Sequence, residues 1–401
     1  MITSLATSTR DSLPLRSLCA GALALLLLMA GSIPAQAQME DGELPEIEFG
    51  VNLMQSAQFL TVDDNNPYIR PQLDGRHDGF HQVRAGLNAN VQFSERVSGL
   101  LMLQAEPNDF GQNGFAPAVD FVTIDLQLTD GLTFRTGTPV TGLLNFRGFS
   151  DGPVVQGNPL VGNSPADMIT AAHGVKLLGS YDTFGFDVTV NRSFAEGFTS
   201  GQTGVNLIGK VRYTGSDAFK FGIGGATHTG QGVTPNGDQT GSPGLVFANG
   251  DRENYNFPGT GINSTETHVN MPAGSIVMAD AKLTGGGADV DAWTGYATES
   301  DYSPYGGDSF NAFFAGLGAK YPLTDDFYGA GRFTYIGDQS DGVSNVDHTA
   351  VSRIQVGVGY SIYEKALFKL EYVRQVEGAN TSLSRIGNNW SGFTTELSVN
   401  F

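Results

Sequence analysis

The sequence predicts an all-β chain, a transmembrane antiparallel β-barrel of about sixteen strands, with fourteen to eighteen as the range. Three observations support this fold class. Runs of roughly ten residues alternate between apolar and polar side chains, the last run ends flush at the carboxyl terminus, and an export signal precedes the first run. No stretch after that signal reaches the ~20 apolar residues of a membrane-spanning helix, so strands must do the crossing.

The first 37 residues have the organisation of a secretory signal peptide. Arg10 and Arg16 precede an apolar run, and Ala35-Gln36-Ala37 forms a small-x-small cleavage site. We therefore expect residues 1–37 to be removed and residues 38–401 to form the barrel.

The alternating runs succeed one another through short turns and long connections, as in hairpins of a membrane barrel. The predicted strands are 47–54, 83–93, 97–106, 122–128, 132–138, 175–181, 184–190, 205–213, 219–223, 277–283, 290–296, 313–321, 327–335, 354–362, 368–372 and 393–401. The long connections, expected on the extracellular side, are 62–79, 107–118, 138–173, 193–203, 228–274, 298–309, 337–349 and 376–390.

The composition fits a barrel better than a soluble exported domain. Mean hydropathy is only -0.12, as expected if every second strand residue touches lipid. The only cysteine, Cys19, falls within the predicted signal, so the mature chain has no disulfide to hold it. Aromatic residues cluster beside the short turns, where an interfacial girdle is expected: Phe93, Phe134, Tyr181, Phe184, Tyr213, Phe219, Tyr321, Phe327, Tyr363 and Phe401.

The last strand carries the most specific signal in the chain. Phe393, Leu397, Val399 and Phe401 lie on one face of an alternating run that ends on the aromatic residue. This pattern resembles the terminal strand of Gram-negative outer-membrane barrels, which the barrel assembly machinery recognises. The resemblance implies a bacterial outer-membrane location, with lipid and lipopolysaccharide as surroundings.

The predicted barrel is wide enough to hold an aqueous lumen. The connection 138–173 joins the fifth and sixth predicted strands. This order resembles the general porins, in which the loop at that place bends inward and narrows the pore. The resemblance implies passive diffusion of small hydrophilic solutes and ions through a homotrimer. The acidic motif of many enterobacterial porins is missing from this loop, so their charge selectivity does not carry over.

Candidate pore residues follow from the strand register and from the loop. The strand positions predicted to face the lumen are mixed in charge, whereas the chain as a whole carries a net charge of -19, so most of the acidic excess lies in loops. Those loops form either a solvated acidic rim or a vestibule that concentrates cations. The predicted constriction and selectivity residues are Arg84, Arg135, Arg147, Asp151, Asp167, Lys210, Arg212 and Arg332.

Other functions have less support in the sequence. No His lies mid-strand on an outward face with a Ser one strand away, as a nucleophile and its base at the lipid rim would require, so we predict no enzyme. His77 and His81 have the spacing of a metal pair only on a helix, and we expect no metal, cofactor or nucleic-acid partner. A substrate-specific channel for phosphate or sugars and a non-conducting adhesin or structural barrel remain open. The role of the long connection 228–274 is also open, as a lid or a partner site.

Overall fold

The chain adopts a closed β-barrel in the computed structural model. The structure describes residues 45–62, 76–105, 118–139, 156–162, 167–168, 173–192, 205–229, 245–248, 272–273, 275–299, 310–338, 350–377 and 390–401. The chain divides into two compact units, Met1–Pro45 and Glu46–Phe401. The predicted signal peptide and its cleavage site lie outside the described residues and stay a prediction.

Nineteen strands are formed in the described part of the chain. They are β1 (Glu46–Val62), β2 (Arg76–Ser94), β3 (Val97–Ala105), β4 (Ala118–Thr129), β5 (Leu132–Gly137), β6 (Asp167–Met168), β7 (Gly174–Tyr181), β8 (Phe184–Arg192), β9 (Val205–Tyr213), β10 (Phe219–Thr229), β11 (Leu245–Ala248), β12 (Pro272–Ala273), β13 (Ser275–Gly285), β14 (Ala288–Glu299), β15 (Phe310–Pro322), β16 (Phe327–Asp338), β17 (Ala350–Tyr363), β18 (Ala366–Glu377) and β19 (Trp390–Asn400).

Sixteen of these strands close into one antiparallel barrel, which confirms the predicted fold class and strand number. The order around the barrel is β1-β19-β18-β17-β16-β15-β14-β13-β10-β9-β8-β7-β5-β4-β3-β2. The first and last strands form the seam, with Asn52 opposite Asn400 and Phe59 opposite Phe393. Closure satisfies the backbone groups of every barrel strand, as the interior of a membrane requires.

The outward face of the barrel is apolar and the inward face is mostly polar. On β1, the outward side chain of Phe49 is 68% exposed, whereas the inward side chain of Asn52 is 1% exposed. The predicted aromatic residues lie outward at the short-turn ends and contact one another. Phe184 and Tyr213 meet edge to face at 5.9 Å, and Phe327 stacks on Tyr360 at 4.4 Å. This belt matches the interfacial girdle expected for a membrane barrel.

One short turn shows how the sequence fixes the register. Gly286 and Gly287 connect β13 to β14 and have φ angles of 60° and 81°. Both angles belong to the left-handed region, which a two-residue hairpin turn with the strand twist requires and which glycine adopts without strain. The register that follows places Lys282 opposite Asp291 on the inward face.

The structure differs from the sequence prediction at strand ends and in one small sheet. β2 begins at Arg76, seven residues before the predicted start at 83, because backbone pairing with β1 continues where lipid no longer imposes alternation. Three short strands were not predicted. β11 pairs with β12 and with β6, so the two long connections 138–173 and 228–274 are joined through a three-stranded sheet.

Candidate pore lining and inner segment

A row of charged side chains crosses the inward face of β4, β5, β7, β8 and β9. Asp125 lies directly opposite Arg135, which in turn lies opposite Lys176. The Arg135 guanidinium donates from Nε and Nη2 to the two oxygens of Asp125, at 2.6 Å each. Two parallel charge-assisted hydrogen bonds hold this arginine in one orientation. The side chains of Asp125, Arg135 and Lys176 therefore face inward, as the alternation of the sequence predicts.

Further along the row, one carboxylate serves two cations. Asp187 pairs with the ammonium of Lys176 at 3.5 Å and with the guanidinium of Arg212. The next acid, Asp280 on β13, pairs with Lys210 at 2.6 Å. Because Asp187 is completely buried, removing it would leave two cations without their compensating charge.

The charged row is more open near the short turns than at mid-barrel. The side chains of Arg135 and Asp125 are 30% and 23% exposed, and Lys282 and Asp289, paired at 3.3 Å, are 31% and 40% exposed. At mid-barrel the Lys210 side chain is 0% exposed. Solvent therefore reaches the charged side chains more freely near the short turns than at mid-barrel.

A seven-residue segment of the connection 138–173 lies inside the lumen. Its described contacts are with the wall on the inner side of the barrel, beginning near the short turn between β17 and β18. There the Gln156 amide donates to the carbonyl oxygens of Lys365 and Ser398, at 3.1 and 3.2 Å. We call residues 156–162 the inner segment.

The far end of the inner segment is fixed by its backbone. The carboxylate of Glu371 accepts hydrogen bonds from the backbone N–H groups of Val161 and Gly162, at 2.7 and 3.1 Å. The carbonyl oxygen of Gly162 accepts from Arg332 and from the Gln355 amide, the latter at 3.1 Å. Donors and acceptors of the wall thus match those of the segment at the same place.

The wall side chains that bind the inner segment, Arg332, Gln355 and Glu371, form what we call the dock. They are also hydrogen-bonded to one another. Arg332 donates from Nε to the Gln355 side-chain oxygen at 2.8 Å, and the Gln355 amide donates to Glu371 at 3.2 Å. These bonds between wall groups restrict each side chain, which lowers the cost of ordering the site when the segment binds. All three lie on consecutive strands, β16, β17 and β18.

An apolar contact anchors the middle of the inner segment. Leu160 is 2% exposed and packs in a cluster with Tyr328, Ala330 and Leu367. The Tyr328 hydroxyl also donates to the Pro159 carbonyl at 3.1 Å. Tyr328 lies flat across Gly359, where an added Cβ would come within 2.1 Å of the ring. Glycine at that position is thus needed for the tyrosine to reach the segment.

The inner segment lies on the side of the lumen opposite the strands that flank it in the sequence. Its connection leaves the wall at β5 and returns at β7, whereas it docks on β16, β17 and β18. In the barrel order, β5 and β17 are seven strands apart by one route and nine by the other. The segment therefore rests on the wall opposite its own origin and faces the charged row of β4 to β9.

A second cluster of buried polar groups lies beside the dock. The ammonium of Lys369 pairs with Glu396 at 2.8 Å and also donates to the Leu160 carbonyl at 3.4 Å. On β17, Arg353 donates to the Gln375 side chain at 2.6 Å and lies over the Trp390 ring at 5.4 Å. These groups stiffen the wall on which the inner segment rests.

The predicted pore residues fall into three places. Arg135, Lys210 and Arg212 belong to the charged row, Arg332 is under the inner segment, and Arg84 is buried on β2. The structure does not bring all of them together. Arg147 and Asp151 lie outside the described residues, and Asp167 is described only as part of β6, opposite Ala248.

Two residues that the candidate set missed are central to the dock. Alternation places Glu371 and Gln355 inward, but their partners, Val161 and Gly162, are 210 and 193 residues away in the sequence. No local pattern predicts such a pairing. The one available signal is the inward strand position of the Glu371 carboxylate itself.

The terminal strand has the arrangement expected from its sequence pattern. Phe393, Leu397 and Phe401 are 52%, 43% and 60% exposed on the outward face, and Val399 is half-buried. The last residue is itself paired. Phe401 donates to the Val51 carbonyl at 2.8 Å and accepts from the Val51 N–H at 3.2 Å.

Within the described residues, no helix is long and apolar enough to cross a membrane. The same part of the chain contains no group of three or more His, Cys, Asp or Glu that could hold a metal ion.

Comparison with solved structures identifies the fold. OmpTdeltaL8, a loop-deletion form of an outer membrane protein of Vibrio cholerae, matches with a TM-score of 0.56 at 12% identity, over 90% of this chain and 100% of that one. An anion-selective porin from Comamonas acidovorans matches with a TM-score of 0.57 at 12% identity, over 89% and 100%. The outer membrane channel DcaP of Acinetobacter baumannii matches with a TM-score of 0.57 at 11% identity, over 89% and 97%.

No protein-family model matches the chain, and no curated protein matches it significantly. The structural likeness nevertheless covers almost the whole chain. Together with the closed sixteen-stranded barrel and its apolar outer belt, it shows that the chain is a β-barrel with the fold of bacterial outer-membrane porins.

Proposed function

We propose that this protein is an outer-membrane porin, a water-filled channel for passive diffusion of small hydrophilic solutes and ions. One observation carries the proposal. In a closed sixteen-stranded barrel, the inner segment is docked inside the lumen on one wall, opposite a row of charged side chains. This arrangement leaves a polar path whose width depends on the segment and whose charge depends on the row.

Size selection is assigned to the inner segment. It rests on the wall through both backbone and side-chain contacts, so its position is defined rather than averaged over many conformations. Solutes entering from the short-turn end would first meet exposed charges such as Arg135 and then pass the buried charges around Lys210, opposite the inner segment. Diffusion along such a path needs no cofactor and no enzymatic step.

Charge selection is expected to be weak. Among the inward strand positions whose side chains the structure describes, Lys and Arg only slightly outnumber Asp and Glu. The cations are Arg84, Arg135, Lys176, Lys210, Arg212, Lys220, Lys282, Lys320, Arg332, Arg353 and Lys369, and the acids are Glu46, Glu48, Asp125, Asp187, Asp280, Asp289, Asp291, Glu371 and Glu396. Many are paired, which shortens the range of their field.

The proposed partners follow from location and fold. The outward belt fits lipid and lipopolysaccharide, and the terminal pattern ending at Phe401 fits the barrel assembly machinery. A homotrimer is proposed as well, supported by the similar barrel of Vibrio cholerae OmpT, which is described in a trimer form and has a TM-score of 0.54 at 13% identity.

The deciding experiment is conductance in a planar bilayer. Purified mature protein, refolded in detergent, is added on one side of a bilayer with a salt gradient across it. Stepwise current increases with a small reversal potential would support a weakly selective open pore. A folded barrel that inserts without conducting would overturn the proposal and favour the adhesin or structural alternative.

A substrate-specific channel is the second candidate, because the middle of the lumen is tightly packed. The inward side chains of Thr189, Thr334 and Gln355 are 0% exposed. A closely packed polar wall favours solutes that exchange hydrogen bonds with it, such as phosphate or sugars. Liposome swelling would distinguish the two candidates. A general pore admits neutral sugars in order of size, whereas a specific channel admits one class out of that order.

A further inference from the structure

A cavity of about 510 Å³ lies on the inward face of β1 to β5, near the short-turn end and away from the inner segment. Its volume is within the range of small-molecule sites. Six of its lining residues define its chemistry: Glu46, Glu48, Gln92, Leu100, Phe121 and Arg135. We call it the vestibule cavity.

The strand register assembles the cavity wall. Glu46 lies opposite Gln92, Gln92 opposite Ser98, Ser98 opposite Asp125, and Asp125 opposite Arg135. One residue pair further into the barrel, Glu48 lies opposite Asn90 and Asn90 opposite Leu100. Directly opposed side chains of an antiparallel sheet are within contact distance, about 5 Å between Cβ atoms, so the two rows form one continuous surface.

The free groups of the cavity are hydrogen-bond acceptors. Glu46 and Glu48 have no hydrogen-bond or ion-pair partner among the residues that the structure describes. The Gln92 amide nitrogen donates to the backbone carbonyls of Ser94 and Val97, the latter at 3.4 Å. This orientation engages the donor of the Gln92 amide and leaves its side-chain oxygen available beside the two carboxylates.

The cation in the cavity lining, Arg135, is already compensated. Arg135 donates to both oxygens of Asp125, so these two charges offset each other. The remaining charge of the lining is that of Glu46 and Glu48. Phe121 and Leu100 supply an apolar floor, and an aromatic ring attracts a cation placed over its face. Free acceptors, uncompensated negative charge and an aromatic surface together favour a positively charged guest.

We propose that the vestibule cavity binds small polar amines, solutes that combine an ammonium group with hydroxyl or amide groups. The ammonium donates to Glu46, Glu48 and the Gln92 oxygen, while Asn90 and Ser98 bind the hydroxyl or amide groups. In the channel proposed above, this site would hold such solutes at the short-turn entrance and raise their local concentration. The proposal rests on the channel function only for the route by which solutes arrive.

The test compares three sugars of one ring size and different charge: glucosamine, glucose and glucuronate. Binding to the full barrel in detergent is measured by saturation-transfer-difference NMR, which detects weak ligands and needs no conduction. We expect glucosamine to bind at least tenfold more tightly than glucose or glucuronate. Equal binding of the three sugars would overturn the proposal.

Variants locate the site. Glu46→Gln/Glu48→Gln keeps the shape of both side chains and removes both charges, and we expect about a tenfold loss of glucosamine affinity. The matched control is Glu95→Gln/Glu364→Gln, which removes two charges from exposed turns at the same end of the barrel. Unchanged affinity in the first variant, or an equal loss in the control, would overturn the proposal.

The outcome is separable from that of the channel proposal. A barrel that conducts but shows no preference for glucosamine overturns only the amine site. A barrel that does not conduct but still prefers glucosamine, with loss in Glu46→Gln/Glu48→Gln, supports the site and overturns only the channel.

Discussion

Weakening the dock of the inner segment should release it from the wall, and Glu371 is the residue to change. Its carboxylate accepts the backbone N–H groups of Val161 and Gly162 at 2.7 and 3.1 Å. Hydrogen bonds to a charged acceptor contribute about 1.5–3 kcal/mol each, and those to a neutral acceptor about 0.5–1.5. Glu371→Gln keeps one neutral oxygen acceptor, and because both N–H groups bind the same oxygen their losses do not add in full, so we expect the docked state to lose about 1–2 kcal/mol.

That loss converts into a measurable opening. A change of 1–2 kcal/mol shifts an equilibrium by roughly 5–30-fold. Val161 is 1% exposed, and the predicted mature chain contains no cysteine. A Val161→Cys reporter should therefore react slowly with a small thiol reagent while the segment is docked. If closing is faster than labelling, the labelling rate follows the open population.

Adding Glu371→Gln to the Val161→Cys reporter should accelerate labelling roughly 5–30-fold, in proportion to the open population. The control is Asp187→Asn, which neutralises another fully buried wall carboxylate on β8. Asp187 does not contact the inner segment in the described contacts, so the labelling rate should stay within twofold of the reporter alone. Equal rates with and without Glu371→Gln would refute the assignment of Glu371 as the anchor.

Three further perturbations test other parts of the structure. Leu160→Ala removes the buried apolar anchor of the inner segment, at a cost of about 2–5 kcal/mol, so single-channel conductance should rise, and an unchanged conductance would count against a narrowing role. Arg135→Gln leaves Asp125 uncompensated at the open end of the lumen, so the reversal potential should move toward cation preference; a move toward anions would contradict the charge assignment. Gly287→Ala forces a side chain into φ 81° at about 1–2 kcal/mol, which urea unfolding in lipid vesicles would detect, whereas Gly285→Ala, with open space around its Cβ position, should be neutral.

The extent to which the sequence predicts this fold follows from the surroundings of each strand. Where lipid lies outside and water or polar side chains lie inside, alternation is enforced, and β17 (Ala350–Tyr363) was predicted at 354–362. Beyond the lipid, only backbone pairing holds the strand, and β2 extends to Arg76 without an alternating pattern. The two-residue strands β6 and β12 are too short to show any period.

The pore could be predicted only in part, for a related reason. Alternation is a local property, so it correctly turned Arg135 and Arg332 toward the lumen. What those residues contact depends on chain folding over long separations. Arg135 meets Asp125 ten residues away in a hairpin, whereas Arg332 meets Gly162 across 170 residues of sequence. The first pair can be read from a turn, and the second requires the closed barrel.

The position of the inner segment also has a consequence for biogenesis. The segment is synthesised before β7, but its dock is built by β16, β17 and β18, and Gln156 additionally needs the Ser398 carbonyl of β19. These donors and acceptors are not brought together until the final quarter of the chain has been synthesised and its strands have paired. The segment therefore docks at the end of assembly, and the lumen of an incompletely closed barrel would lack the docked segment.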